Sequence, residues 1–263
     1  MQRDAVLIEA EELLDKLGDP TLRIFDTSMV FFAEAEDAPS RYLKGHIPGA
    51  AFFDHARVTD QEAKYPYTVA PEAQLAREIG AMGIGNAHQV VVYTTELIAA
   101  ATRAWWILRY AGHQNVRVLN GGLAAWQKAG GAIEQGEHTY PPAEFTPTFK
   151  PEMFASKEEV QAAIEDGAVC TVFTLSEDAF PQMIAGSTRN DMDNLLVEDR
   201  FLSNADLSAR LKDEAAHERV ITYCGGGIAA TANAVAHLLA GNENVSVYDG
   251  SLYEWTGEGL PTG

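Results

Sequence analysis

The sequence predicts an α/β protein made of two similar halves, each built on a mainly parallel sheet. Two observations carry this reading. The first is an internal repeat. Residues 90–126 read VVVYTTELIAAATRAWWILRYAGHQNVRVLNGGLAAW, and residues 220–255 read VITYCGGGIAATANAVAHLLAGNENVSVYDGSLYEW. Each runs strand, loop, helix, strand, tight glycine turn, then a short helix carrying tryptophan. Asn120-Gly121-Gly122 falls where Asp249-Gly250-Ser251 falls. The second observation is alternation. β-branched apolar runs alternate with helical stretches of roughly 10–15 residues, the pattern of parallel βαβ units.

The elements follow in order. The start, MQRDAVLIEAEELLDKLGDP, reads as an amphipathic helix. LRIFDTS (22–28) is a strand whose counterpart is VCTVFTLS (169–176), and GHIPGA (45–50) has a worn echo in MIAGSTRN (183–190). The stretch GEHTYPPAEFTPTFKPE (136–152) holds four prolines and no helical period, so it reads as an extended connection. The division expected is residues 1–140, a linker at 141–152, and residues 153–263. In the second half, Val220–Tyr223 is a strand and Ile228–Ala240 the helix after it.

Composition narrows the class. A 46% hydrophobic content over 263 residues supports a real core. No apolar run approaches the ~18–20 residues of a membrane span. The first residues show no apolar segment followed by a small-residue cleavage site, so a cytoplasmic location is expected. The net charge of −19 disfavours nucleic acid, which requires clustered lysine and arginine. The acidity serves solubility. It also means that an anionic substrate must be met by local cations or N–H groups. Two cysteines, Cys170 and Cys224, make neither a disulfide framework nor a four-thiolate metal site. Cys170 sits in the apolar run AVCTVFTL and reads as a small buried hydrophobe.

Cys224 is different. It stands at the carboxyl end of a strand, where open α/β sheets place ligands. Gly225, Gly226 and Gly227 follow, then Ile228 and Ala229 open the helix. Three residues without Cβ let the loop curl round one central atom with its amides pointing inward. The helix N-terminus adds its dipole. Such a cradle favours a nucleophilic thiolate, and would hold the outer sulfur of a persulfide equally well. The first half has Thr94 at the matching place and lacks the glycines, so one copy keeps the chemistry and the other does not.

YLKGHIPGA (42–50), ATRAWW (101–106), NVRVLNGGLAAW (115–126), YCGGGIAA (223–230) and VYDGSLYEW (247–255) together resemble the tandem rhodanese sulfurtransferases, in that family's order and over nearly the whole chain. The resemblance implies two rhodanese-like domains, each with a mainly parallel five-stranded sheet flanked by helices. The first would be an inactive copy and the second catalytic. It implies a ping-pong reaction, in which Cys224 takes a sulfane sulfur from a small donor and passes it to a thiophilic acceptor such as cyanide, a thiol, or a thioredoxin-like or other protein. It implies no cofactor and no metal. An alternative under the same resemblance is a low-turnover relay or sensing module that hands persulfide to a protein partner. A phosphatase branch carries Cys-x5-Arg, but the sixth position after Cys224 is Ala230, which argues against that chemistry.

For the donor, the loop has no basic residue at Gly225 or Gly226, as thiosulfate-type members have. It lies closer to the Cys-Gly-Ser-Gly-Val-Thr-Ala of mercaptopyruvate-type members, with Gly226 and Ala229 in place of serine and threonine. Tyr67 occupies the place of that branch's histidine, while Asp54 matches its carboxylate. Arg103 matches the family arginine that reaches the site between the domains. A second family arginine is Ser176 here, its neighbouring aspartate is Thr174, and Arg189 is the nearest substitute. His46 reads as a turn hydrogen-bonder, and Trp105, Trp106, Trp126 and Trp255 as packing.

Overall fold

The protein is described here from a computed structural model, covering residues 1–31 and 36–263. The first half contains β1 (Leu7–Ile8), α1 (Ala10–Lys16), β2 (Leu22–Asp26), α2 (Ala38–Lys44) and β3 (Ala50–Phe52). It continues with α3 (Glu72–Ala81), β4 (Gln89–Tyr93), α4 (Ile98–Tyr110), β5 (Val116–Leu119) and α5 (Gly122–Lys128). The second half contains β6 (Phe154–Ala155), α6 (Lys157–Glu165), β7 (Val169–Phe173), β8 (Thr188–Arg189) and a hairpin, β9 (Leu196–Val197) with β10 (Arg200–Phe201). It ends with α7 (Asn204–Arg210), β11 (Arg219–Tyr223), α8 (Ala229–Leu239), β12 (Val245–Tyr248) and α9 (Ser251–Gly257).

The two sheets have the same plan. One runs β1-β5-β4-β2-β3 and the other β6-β12-β11-β7-β8. All their pairings are parallel. Continuous apolar runs such as Val90–Val92 make central strands because helices cover both faces of such a sheet. The repeat extends to single hydrogen bonds. Tyr93 Oη accepts from Ile47 N–H at 3.2 Å, and Tyr223 Oη accepts from Ile184 N–H at 2.8 Å. The indoles of Trp126 and Trp255 each donate at 2.8 Å to a carbonyl six residues on, Ala132 and Pro261.

The N-terminal stretch is not the single helix its pattern suggests. Leu7 and Ile8 pair with Val118 and Leu119 as an edge strand, and only Ala10–Lys16 is helical. Val6, Leu7 and Ile8 are all buried, and three consecutive apolar residues cannot share one helix face. After α5 the chain runs extended over the first half. Ala143 N–H donates to Gly80 O, and Thr148 and Lys150 N–H to Ala111 and Tyr110 O. At Gly112 (φ +98) a Cβ would lie 2.5 Å from Thr148 O, so the strap docks where side chains are missing.

The halves meet along α4 and α8. Alanines let the helices approach, and Thr102 Oγ1 meets Thr231 Oγ1 at 2.8 Å. Each half also sends a segment across the seam. Val69 N–H of the first half donates to Asp249 Oδ2 at 2.7 Å, and Phe201 N–H of the second donates to Asn120 Oδ1 at 3.0 Å. Asn120 and Asp249 are repeat equivalents, so one contact is made twice with the halves exchanged. The hairpin turn, Glu198-Asp199, has positive φ at both residues and brings Asp199 Oδ1 within 2.9 Å of Ile98 N–H, at the start of α4.

Burial pushes the Asp199 carboxyl up to about 7, with Asp193 adding to the rise and the Ile98 N–H opposing it. The unfolded value is about 3.9. The folded state therefore binds the extra proton, and Asp199 contributes stability that declines as pH rises from about 4 to about 7. An Asp199→Asn variant should gain on wild type by a few degrees in Tm across that window and not below it. Thermal unfolding from pH 4 to 8 checks this, and a pH-independent difference would contradict it.

Candidate active site

β11 runs buried between β7 and β12 and delivers Cys224 at its carboxyl end. Residues 225–228 turn the chain into α8. Gly227 has φ +76, and a Cβ there would sit 2.6 Å from Asp249 O, so only glycine fits. The loop is held from beneath by its carbonyls. Cys224 O accepts from Leu252 N–H at 3.0 Å and Gly225 O from Tyr253 N–H at 2.9 Å. Gly227 O accepts from Arg103 at 3.1 Å, and Ile228 O from Thr231 N–H and Oγ1. Cys224 N–H donates to Ser251 Oγ at 3.1 Å.

A peptide plane that turns its carbonyl into the protein turns its N–H the other way. None of the N–H groups of Gly225, Gly226, Gly227 or Ile228 has an acceptor among the described residues. Four free amide donors at the start of an 11-residue helix form a nest for an anion. Cys224 sits at its edge, 2% exposed.

The equivalent loop of the first half has the same backbone anchor, Leu123 N–H to Thr94 O at 2.9 Å, but three of its four corresponding N–H donors are taken. Thr95 N–H donates to Ser28 Oγ at 3.0 Å, Glu96 N–H to Thr94 Oγ1 at 3.2 Å, and Ile98 N–H to Asp199 Oδ1 at 2.9 Å. Side chains occupy most of the first cradle, and nothing among the described residues fills the second.

The residues singled out from sequence fall in different places. Gly225–Ala229 form the loop and the first turn of α8 around Cys224. Arg103 reaches this site across the seam, yet not as a free cation. Its side chain is 3% exposed and bridges Asp249 Oδ1 at 2.7 Å, while its other terminal nitrogen donates to Tyr67 O at 2.8 Å. Arg103 lies under the loop and positions it; the expectation that its charge faces substrate is corrected by this pairing. Asp54 is not brought to the loop. It caps the turn His55–Val58 by accepting from Ala56 N–H at 2.9 Å, and lines a cavity of about 290 Å³ with Phe25, Tyr42, Arg57 and Tyr140 of the first half. Arg189 donates to Leu175 O and Pro181 O and stacks on Phe173, so it too is occupied.

Sequence reasoning missed Asp249, Ser251, Tyr253 and Phe180. Asp249 and Ser251 were visible as a turn matching Asn120 and Gly122, but not as loop anchors. A Cβ on Gly225 would be 3.5 Å from the Tyr253 ring and 3.7 Å from Phe180. Tyr67, noted only as an absent histidine, stands over Gly226 from the other half. Cys170 is buried in β7, and burial pushes its thiol up, away from nucleophilic use.

This pair of sheets, with one free amide cradle behind a cysteine, belongs to a known class. The rhodanese-like domain matches residues 9–129 and again 157–258, and the chain belongs to the rhodanese family. It is 31% identical to the thiosulfate sulfurtransferase of Bos taurus over 258 residues, 91% of this chain and 86% of that one. It is 27% identical to the 3-mercaptopyruvate sulfurtransferase of Escherichia coli (strain K12), covering 94% of each. The crystal structure of SseA from Escherichia coli superposes with a TM-score of 0.86 at 26% identity, over 95% of this chain and 99% of that one. The chain is a sulfurtransferase.

Breaking the Arg103–Asp249 bridge should be costly, because it leaves a largely buried carboxylate unpaired. Arg103→Ala is expected to lose about 3–5 kcal/mol of stability in denaturant unfolding. Arg103→Lys, which cannot reproduce the guanidinium's fork to Gly227 O, Asp249 and Tyr67 O, should recover only part. Full recovery by lysine would show that charge alone matters here.

Proposed function

We propose that Cys224 carries the transferred sulfur as a persulfide, taken from a donor of the thiosulfate or 3-mercaptopyruvate kind. The observation that supports this most is the contrast between the two loops: four N–H groups without an acceptor among the described residues beside Cys224, and three of the four equivalent groups occupied beside Thr94. A persulfide puts its negative charge on the outer sulfur, one bond beyond Sγ. Unpartnered amides and the α8 dipole stabilise that charge without an added cation.

In the first step the Cys224 thiolate attacks the outer sulfur of the donor. With thiosulfate, the S–S bond breaks and sulfite leaves with the electron pair. With 3-mercaptopyruvate, the C–S bond breaks and the thiol proton ends on the methylene carbon, giving pyruvate. In the second step an acceptor attacks the outer sulfur and the Cys224 thiolate is regenerated; cyanide gives thiocyanate. No net oxidation of the protein occurs over the cycle.

Incubation with a donor followed by intact-mass measurement should add one sulfur to wild type and to Cys170→Ser, and none to Cys224→Ser. Thiocyanate formation should fall by at least about 10³-fold in Cys224→Ser, as for loss of a covalent nucleophile. A sulfur adduct on Cys224 with no turnover on either donor would favour a relay that delivers sulfur to a protein. Turnover retained in Cys224→Ser would refute the assignment.

A further inference from the structure

We infer that Tyr67 and Tyr253 set donor specificity, replacing a basic side chain over the cradle with two neutral phenols and so favouring an organic donor with one carboxylate over the compact dianion thiosulfate. The inference rests on the reading of Cys224 as sulfur carrier.

The geometry begins at Gly226. A Cβ there would lie 2.8 Å from Tyr67 Cδ2 and 3.0 Å from Tyr253 Cδ2. The rings close on the middle of the loop from opposite halves of the chain. No side chain, charged or neutral, fits at residue 226 while both stand there. The rings are not core residues. Tyr67 is 38% and Tyr253 41% exposed, among the few large apolar side chains that meet solvent. Neither hydroxyl has a hydrogen-bond partner among the described residues, whereas the hydroxyls of Tyr42, Tyr93, Tyr140, Tyr223 and Tyr248 all do.

Tyr67 is also held in place at a cost. Its φ of +64 is uncommon for a residue with a bulky side chain. Its carbonyl accepts from Arg103, and two residues on Val69 N–H donates to Asp249. The buried ion pair that supports the loop therefore also fixes the ring above it. Strain maintained by a buried network at a reactive loop points to function.

The charges around the loop complete the argument. Arg103 is paired with Asp249, and Arg189 donates to two backbone carbonyls. Arg103 is thus neutralised by its partner, and Arg189 is held by backbone carbonyls and Phe173 rather than presented from the loop. A single carboxylate can be received by neutral O–H donors, and the flat keto-acid body lies against a ring. A second negative charge meets no basic side chain on the loop itself, which runs Cys224-Gly225-Gly226-Gly227-Ile228.

The test compares kcat/KM for 3-mercaptopyruvate and for thiosulfate, with cyanide as acceptor, and records the sulfur adduct on Cys224 in each variant. Wild type should prefer 3-mercaptopyruvate by at least about tenfold, the worth of one charge-assisted hydrogen bond. Tyr67→Phe/Tyr253→Phe keeps both rings and removes both hydroxyls. It should lower the ratio on the order of tenfold, mainly through KM for 3-mercaptopyruvate. Tyr67→Gly/Gly226→Lys opens the space and supplies a cation, and should shift the ratio toward thiosulfate by at least about tenfold. Ratios unchanged in both variants, with the adduct still forming on Cys224, would overturn the specificity role and leave the carrier reading standing. A wild type that prefers thiosulfate would do the same. Absence of any Cys224 adduct would overturn both.

Discussion

The buried bridge between Arg103 and Asp249 ties together more of this molecule than any other contact. Arg103 comes from α4 of the first half, and Asp249 from the end of β12 in the second. Two charges taken out of water must be paired and hydrogen-bonded to be tolerated. Here both partners make further hydrogen bonds to their surroundings. Arg103 also holds Gly227 O and Tyr67 O, and Asp249 also receives Val69 N–H. One ion pair therefore orients a peptide of the cysteine loop, fixes the segment that crosses from the other half, and joins the two domains. The loop beside Cys224 is therefore held in part by the half that has no cysteine.

That dependence gives the duplicated half a physical role. Both halves keep the sheet order, the tyrosine that holds a turn and the tryptophan that holds the last helix. They differ where chemistry would be. In the first half, hydroxyls of Ser28 and Thr94 and the carboxyl group of Asp199 take three of the four cradle N–H groups. A helix start whose N–H groups are already bonded gains nothing from an external anion. In the second half Cys224 stands where Thr94 does, glycines follow it, and the donors stay open among the described residues, at the cost of an incompletely bonded loop. Absence of the thiol and occupation of the cradle thus occur together in the first half.

Much of this was legible in the sequence, and the limit has a clear physical source. The repeat, the parallel units and the cysteine loop are local patterns: a β-branched run, a glycine turn and an alanine-rich helix each declare themselves within a dozen residues. The edge strand at Leu7–Ile8 was misread because its pairing partner, Val118–Leu119, lies more than a hundred residues away. The same holds at the site. Cys224 and its glycines could be named from one stretch of chain. Arg103 could be named but not its state, because its charge is balanced by a residue from the other half. Tyr67 and Tyr253 come together over Gly226 only because the fold brings them there from different halves. Segments that carry one function were readable; contacts across the seam were not.

The acidity of the chain fits this arrangement. A net charge of −19 opposes anionic ligands at long range. That field is screened over roughly 8 Å at physiological salt, whereas hydrogen bonds from a fixed amide act at contact and are not. A site that relied on exposed lysines would work against its own surface and weaken as salt rose. A buried, neutral ion pair beneath the loop and uncharged donors above it avoid that conflict. On the proposed reading, the charge that matters is the one developing on the transferred sulfur, and the unpartnered amides beside Cys224 would meet it where it forms.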